Sequence, residues 1–202
     1  MDKTSGKKPA NIRYMTVTAM LSAISFILMF LDFSVPFMPV FIKMDLSELP
    51  ALIGTFAFGP VCGAAVCLVK NLLHLLITTT GGVGELSNFL LGTAFVLPAG
   101  WIYKHTKTRK GAISGSFAGA VIMAVVSVFS NYFLVYPFYE MILPIDKIIG
   151  MYQAIFPGVD GLLECLIVFN MPFTFLKGLL NVLITFLIYK HISPVLKGNR
   201  SA

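Results

Sequence analysis

The stretch FNMPFTFLKGLLNVLITF, residues 169–186, has the apolar density of a membrane-spanning helix but carries Asn170, Thr174, Lys177, Asn181 and Thr185. These positions are separated by four, three, four and four residues, so on a helix they form one polar stripe. A charge near the centre of a bilayer costs roughly 2.5–3.5 kcal/mol on insertion scales. Lys177 therefore requires a buried partner or a ligand.

The rest of the chain has the same character. Of its 202 residues 57% are hydrophobic and 12% charged, about half the ~25% charged content of soluble domains. So few charges cannot cover a water-soluble surface, and the mean hydropathy is +0.86. The sequence predicts an all-α integral membrane protein, one helical bundle with no separate soluble domain. The net charge is +6, and eleven of the fifteen basic residues sit in three clusters: Lys3, Lys7, Lys8 and Arg13; Lys104, Lys107, Arg109 and Lys110; Lys190, Lys197 and Arg200. Short basic loops beside membrane spans mark the cytoplasmic side. The charge is thus an orientation signal, and nucleic acid is not expected as a partner.

Proline and glycine divide the apolar material into six predicted helices, at 12–31, 47–58, 61–79, 85–103, 111–136 and 170–192. The first follows a basic start without a small-x-small cleavage site and is read as a retained span. The block 47–79 is too long for one ordinary crossing, and Gly59-Pro60 breaks it. Six crossings put all three basic clusters on one side, with both termini cytoplasmic; five would not. The expected organisation is a basic tail over 1–11, a six-helix membrane domain over 12–192 and a second basic tail over 193–202. Residues 137–169 read as an outer connection containing a short amphipathic helix. Cys62, Cys67 and Cys165 have no metal-ligand spacing and read as small buried apolar side chains.

Polar residues from several predicted helices converge on the outer half. The last helix contributes Asn170, Thr174 and Lys177, the lysine seven residues and so roughly 10 Å from the helix start. The fifth contributes Asn131, with Ser127 one turn below. The fourth puts Glu85, Asn88 and Gly92 on one face, and the second starts with Asp45 and Glu48. Any one asparagine could simply be an interhelical hydrogen bond; the convergence argues for a site. For Lys177 the alternative to a ligand contact is an ion pair with Glu48 or Glu85. Lys70 and His74 share a face of the third helix; a structural ion pair is the favoured role for Lys70, and no metal site is expected. Ala19 and Ala23, like Gly115 and Gly119, are small-residue pairs that let helix backbones approach closely. There is no P-loop and no convincing nucleophile–base arrangement, so the chain reads as a non-enzyme.

Three stretches carry a family resemblance: KMDLSELPALIGTFAFGP (43–60), GGVGELSNFLLG (81–92) and NMPFTFLKG (170–178). With them the chain resembles the substrate-binding (S) components of energy-coupling factor vitamin transporters, specifically the riboflavin-binding kind. The resemblance implies a six-helix bundle in a prokaryotic plasma membrane that captures riboflavin from outside. It also implies a transmembrane coupling subunit and two cytoplasmic ATPases as partners, and tilting of the loaded component to release its cargo. The family's ligand contacts fall on Asn131, Asn170 and Lys177, under the loop between the first two helices; its coupling-subunit motif falls on Ala19 and Ala23. Lys43, Asp45, Glu48, Glu85, Asn88 and Thr174 complete the candidate site. Riboflavin is the transported ligand, and no cofactor is expected. Amides, hydroxyls and an ammonium suit its ring edge and ribityl chain. Other readings are an S component for flavin mononucleotide, biotin or thiamine, a secondary transporter with Lys70, His74 and Glu85 as an ion relay, and a membrane scaffold.

Overall fold

Apolar sequence becomes helix here because lipid offers no hydrogen bonds to a bare backbone. The structure, a computed structural model, describes residues 10–39, 42–141 and 143–197. Among them five helical segments are long and apolar enough to cross a membrane: Ile12–Met29, Pro60–Ile77, Val83–Thr106, Arg109–Glu140 and Leu162–Tyr189. Most of the expected N-terminal tail, and the chain past Lys197, lie outside the described residues.

The first span is α1 (Ala10–Met29). A connection carrying the two-residue strands β1 (Phe33–Ser34) and β2 (Lys43–Met44), paired antiparallel, leads to α2 (Glu48–Phe58). At 11 residues α2 is only about 16 Å long. Its residues Glu48 to Phe56 are all buried, because α2 packs against α1, α3 (Pro60–His74), α4 (Val83–Thr106) and α9 (Met171–Lys197). The expected break follows it. Gly59 adopts φ 103°, a conformation that suits glycine, and Pro60 opens α3, where its missing N–H is harmless.

α4 and the helix that follows it pack against each other more extensively than any other pair of described helices. α5 (Arg109–Ser130) begins with the Thr108 side chain capping the Gly111 amide. A Cβ on Gly119 would lie 2.3 Å from the Phe95 carbonyl oxygen of α4, and one on Gly115 would lie 2.8 Å from that of Ala99. The Gly115/Gly119 pair therefore faces inward. Gly119→Ala is expected to destabilise the protein by ~1–3 kcal/mol through overpacking, read as a lower melting temperature in detergent. Gly150→Ala, in α7 (Ile145–Gln153), meets nothing within 4 Å and should be neutral or slightly stabilising. Equal effects of the two changes would refute the tight α4–α5 contact.

Two prolines are absorbed into continuous helical segments, and Pro137, expected to follow the end of a helix at 136, is one of them. After α5 the chain makes a π-turn, Asn131–Val135, and continues as α6 (Tyr136–Glu140), which contains Pro137. After α7 the chain re-enters as α8 (Leu162–Cys165), passes a second π-turn, Leu166–Asn170, and runs into α9, which contains Pro172. The Tyr136 amide bonds Asn131 O and the Met171 amide bonds Leu166 O, each five residues back. This wider register accommodates the proline that follows, which would otherwise break the i→i−4 ladder. The span that starts at Arg109 consequently reaches Glu140 rather than 136. The last starts at Leu162 rather than 170, so Lys177 lies fifteen residues in, roughly 22 Å from the helix start at ~1.5 Å per residue.

Candidate ligand-binding site

Asn131 opens the first π-turn and Asn170 closes the second, so both turns present an asparagine to the same space. Such turns are common at functional positions because they re-aim side chains out of the regular helical register. The space is a cavity of about 250 Å³, just below the ~300–1,000 Å³ typical of small-molecule sites. Eight of the nine expected residues line it: Lys43, Asp45, Glu48, Asn88, Asn131, Asn170, Thr174 and Lys177. They come from the α1–α2 connection, α2, α4, the two π-turns and α9.

The ninth, Glu85, does not line it. Its Oε1 lies 2.7 Å from His74 Nδ1, and its Oε2 accepts from Thr78 Oγ1 at 2.9 Å and Thr80 Oγ1 at 3.0 Å. Glu85 thus ties the turn before α4 to the end of α3. Grouping Glu85, Asn88 and Gly92 on one face is corrected accordingly. The cavity face of α4 is Gly84, Ser87, Asn88 and Leu91, while Gly92 packs against Cys67.

The buried charges are paired. Lys177 Nζ lies 2.8 Å from Asp45 Oδ2 and 3.3 Å from Glu48 Oε2. Glu48 Oε1 meets Lys70 Nζ at 3.0 Å, and Lys70 also donates to Ser47 Oγ at 2.6 Å. Asp45 Oδ1 accepts from the Ser47 amide at 2.8 Å, fixing the N-terminal approach to α2. Burial pushes the Asp45 carboxyl up, but Lys177 and Lys70, with hydrogen bonds from Lys177 and Ser47, hold it well below the usual carboxylate range. Lys177 therefore pairs with Asp45 and Glu48, and not with Glu85. Lys70 and His74 go to different carboxylates, so the relay of Lys70, His74 and Glu85 is not assembled.

The amides and hydroxyls divide into supported and free groups. Asn170 Oδ1 accepts from Tyr152 OH at 2.8 Å, and Tyr152 OH is hydrogen-bonded to Tyr136 OH. Burial pushes the Tyr152 phenol far up, so it stays a neutral donor. Among the described residues the side chains of Asn88, Asn131 and Thr174 make no hydrogen bond, so their donors and acceptors stay unpaired at the cavity wall. Ser127 is spent on Ala124 O. Tyr136 and Tyr139 also line the cavity, with Met123, Leu91 and Phe173 as apolar walls. The tyrosines escaped the sequence reading because Pro137 placed them in or beside a loop. The Pro after each asparagine, at a spacing of two or six residues, was the available signal. Ile42 and Lys43 of the α1–α2 connection close one side, where Lys43 pairs with Asp32 at 3.0 Å.

A helical membrane bundle enclosing a polar hollow with paired charges, open amides and apolar walls is a solute-capture protein. Residues 13–189 match the family model described as ECF transporter, substrate-specific component. The chain belongs to this family of energy-coupling factor transporter components. It is 37% identical over 187 residues to Riboflavin transporter RibU of Staphylococcus aureus (strain TCH60), covering 93% of each chain. It is 31% identical to Riboflavin transporter FmnP of Bacillus subtilis (strain 168), covering 95% of this chain and 97% of that one. A solved structure described as "Structure and mechanism of the S component of a bacterial ECF transporter" superposes with a TM-score of 0.73 at 35% identity, covering 93% of this chain and 99% of the other.

Proposed function

We propose that this chain is the riboflavin-binding S component of an energy-coupling factor transporter in a bacterial plasma membrane. The observation that carries the reading is the cavity in which Asn88, Asn131, Thr174 and Lys177 face apolar walls with hydrogen-bonding capacity to spare. An uncharged, flat ring system with a polyhydroxyl side chain uses both kinds of surface. The similarity to riboflavin transporters over 93% of the chain supports the same cargo.

The cargo enters from outside, under the α1–α2 connection. The short α2 counts as the second of six crossings, which keeps the three basic clusters and both termini cytoplasmic. The protein contains no nucleotide-binding motif of its own, so a transmembrane coupling subunit and two cytoplasmic ATPases supply the driving force. Ala19 and Ala23 are both exposed on α1 and form the coupling contact; the loaded component tilts to release riboflavin. No cofactor takes part.

Purified protein titrated with riboflavin, followed by quenching of flavin fluorescence, is expected to give a nanomolar Kd without ATP or ions, about −12 kcal/mol. Asn131→Ala should weaken it by roughly tenfold or more, since a hydrogen-bonding site with one partner removed leaves a desolvated group on the ligand. Millimolar binding by the unaltered protein would overturn the assignment. Tighter binding of biotin or thiamine would move it to another vitamin.

A further inference from the structure

Lys70 is an ammonium group with no exposed surface, and it does not line the cavity. It lies behind Glu48, on the far side from Lys177, so that the four groups form a chain: Lys70, Glu48, Lys177, Asp45. Stability alone is a poor reason to keep it there, because well-packed apolar residues often match or better a buried ion pair. Its electrostatic consequence is definite. Two ammonium groups face two carboxylates, and the remaining charged lining residue, Lys43, is neutralised by Asp32. The charges around the cavity sum to zero. Without Lys70 the floor would carry one excess negative charge.

We propose that Lys70 is a specificity-determining residue, acting through Glu48, that keeps the floor of the cavity electrically neutral and so sets its preference for an uncharged flavin over a phosphorylated one. The inference rests on the riboflavin reading above. A phosphate brought into this cavity must shed its hydration shell. The buried ammonium that lines the cavity, Lys177, is already shared by two carboxylates and has little positive potential to offer. A neutral ribityl chain incurs no such penalty, and a third N–H of Lys177 remains to donate to it.

The test compares Kd for riboflavin and for flavin mononucleotide, by fluorescence quenching in detergent, across four proteins. These are the unaltered chain, Lys70→Gln, Glu48→Gln and the double variant. Lys70→Gln makes the floor net negative and is expected to raise the ratio of the mononucleotide Kd to the riboflavin Kd. Glu48→Gln makes it net positive and should lower the ratio, each change on the order of tenfold for one buried charge acting at a distance. The double variant restores neutrality and should return the ratio to near its original value, even where both affinities fall. A merely structural role for Lys70 would weaken both ligands together and leave the ratio in place. If Lys70→Gln does not fold, the opposite shift in Glu48→Gln and its reversal in the double variant carry the test. Unmoved ratios, or shifts of the same sign in both single variants, would overturn the inference while leaving the riboflavin assignment intact. Failure of the unaltered protein to bind riboflavin would instead overturn both.

Discussion

Lys177→Ala is expected to weaken riboflavin binding by at least two orders of magnitude and to lower the melting temperature of the unliganded protein. The ammonium lies 2.8 Å from Asp45 and 3.3 Å from Glu48, and its removal leaves these two carboxylates with Lys70 as their only buried counter-ion among the described residues. Breaking one side of a buried pair costs ~3–5 kcal/mol of stability, because the abandoned charge stays desolvated; the hundredfold loss of affinity, about 2.8 kcal/mol, comes from the charged donor that the ligand no longer meets and the unneutralised carboxylates it must then face. The loss has two sources, a missing donor to the ligand and a disturbed α2 N-terminus. Adding Asp45→Asn separates them. The double variant restores the charge balance, so it should recover much of the thermal stability while affinity stays poor. Fluorescence titration and thermal unfolding read the two effects independently. Near-original affinity in Lys177→Ala would remove the lysine from the site.

The second large effect is expected at the opposite surface. Ala19→Trp should leave riboflavin affinity within about twofold, the spread of a surface change within ±0.5 kcal/mol, yet abolish uptake by cells. α1 is the least embedded of the five long spans, with 17% of its window buried. Leu21, Ser22 and Ser25 point into the bundle, whereas Ala19 and Ala23 lie one turn apart on the exposed side. Ala19 is exposed, so an indole added there projects from the outer side of α1. It would hold a partner helix away from the α1 backbone, and close approach of small residues is what drives helix association in lipid. Lost binding would place Ala19 inside the bundle. Retained uptake would move the coupling surface to another face.

The contrast between the two small-residue pairs shows how far one-dimensional pattern reaches. Ala19/Ala23 and Gly115/Gly119 have the same spacing, yet one faces outward and the other abuts the Phe95 and Ala99 carbonyls. Spacing defines a stripe on a helix; the rotation of that helix within the bundle depends on its neighbours. The same reason separates Asn88, which lines the cavity, from Glu85, which does not. One turn of α4 presents Asn88 to the hollow and Glu85 to α3, a distinction of well under half a revolution. The prolines taught a related lesson. Pro137 and Pro172 lack amides, but whether that ends a helix or is taken up in a π-turn depends on the packing that continues the helix beyond it.

Membrane class, the apolar segments, the break at Gly59-Pro60 and the polar stripe on the last helix were all legible along the chain. Each follows from composition or from local periodicity under a solvent that tolerates no unpaired polar group. The pairing of charges was not legible. Lys177 and Asp45 are 132 positions apart, and Lys70 and Glu48 are 22 apart. A carboxylate attracts any ammonium within reach, so the choice among Asp45, Glu48 and Glu85 came only with the folded arrangement of α2, α3, α4 and α9. Coulomb attraction is unselective, and the packing of the bundle supplies the selection.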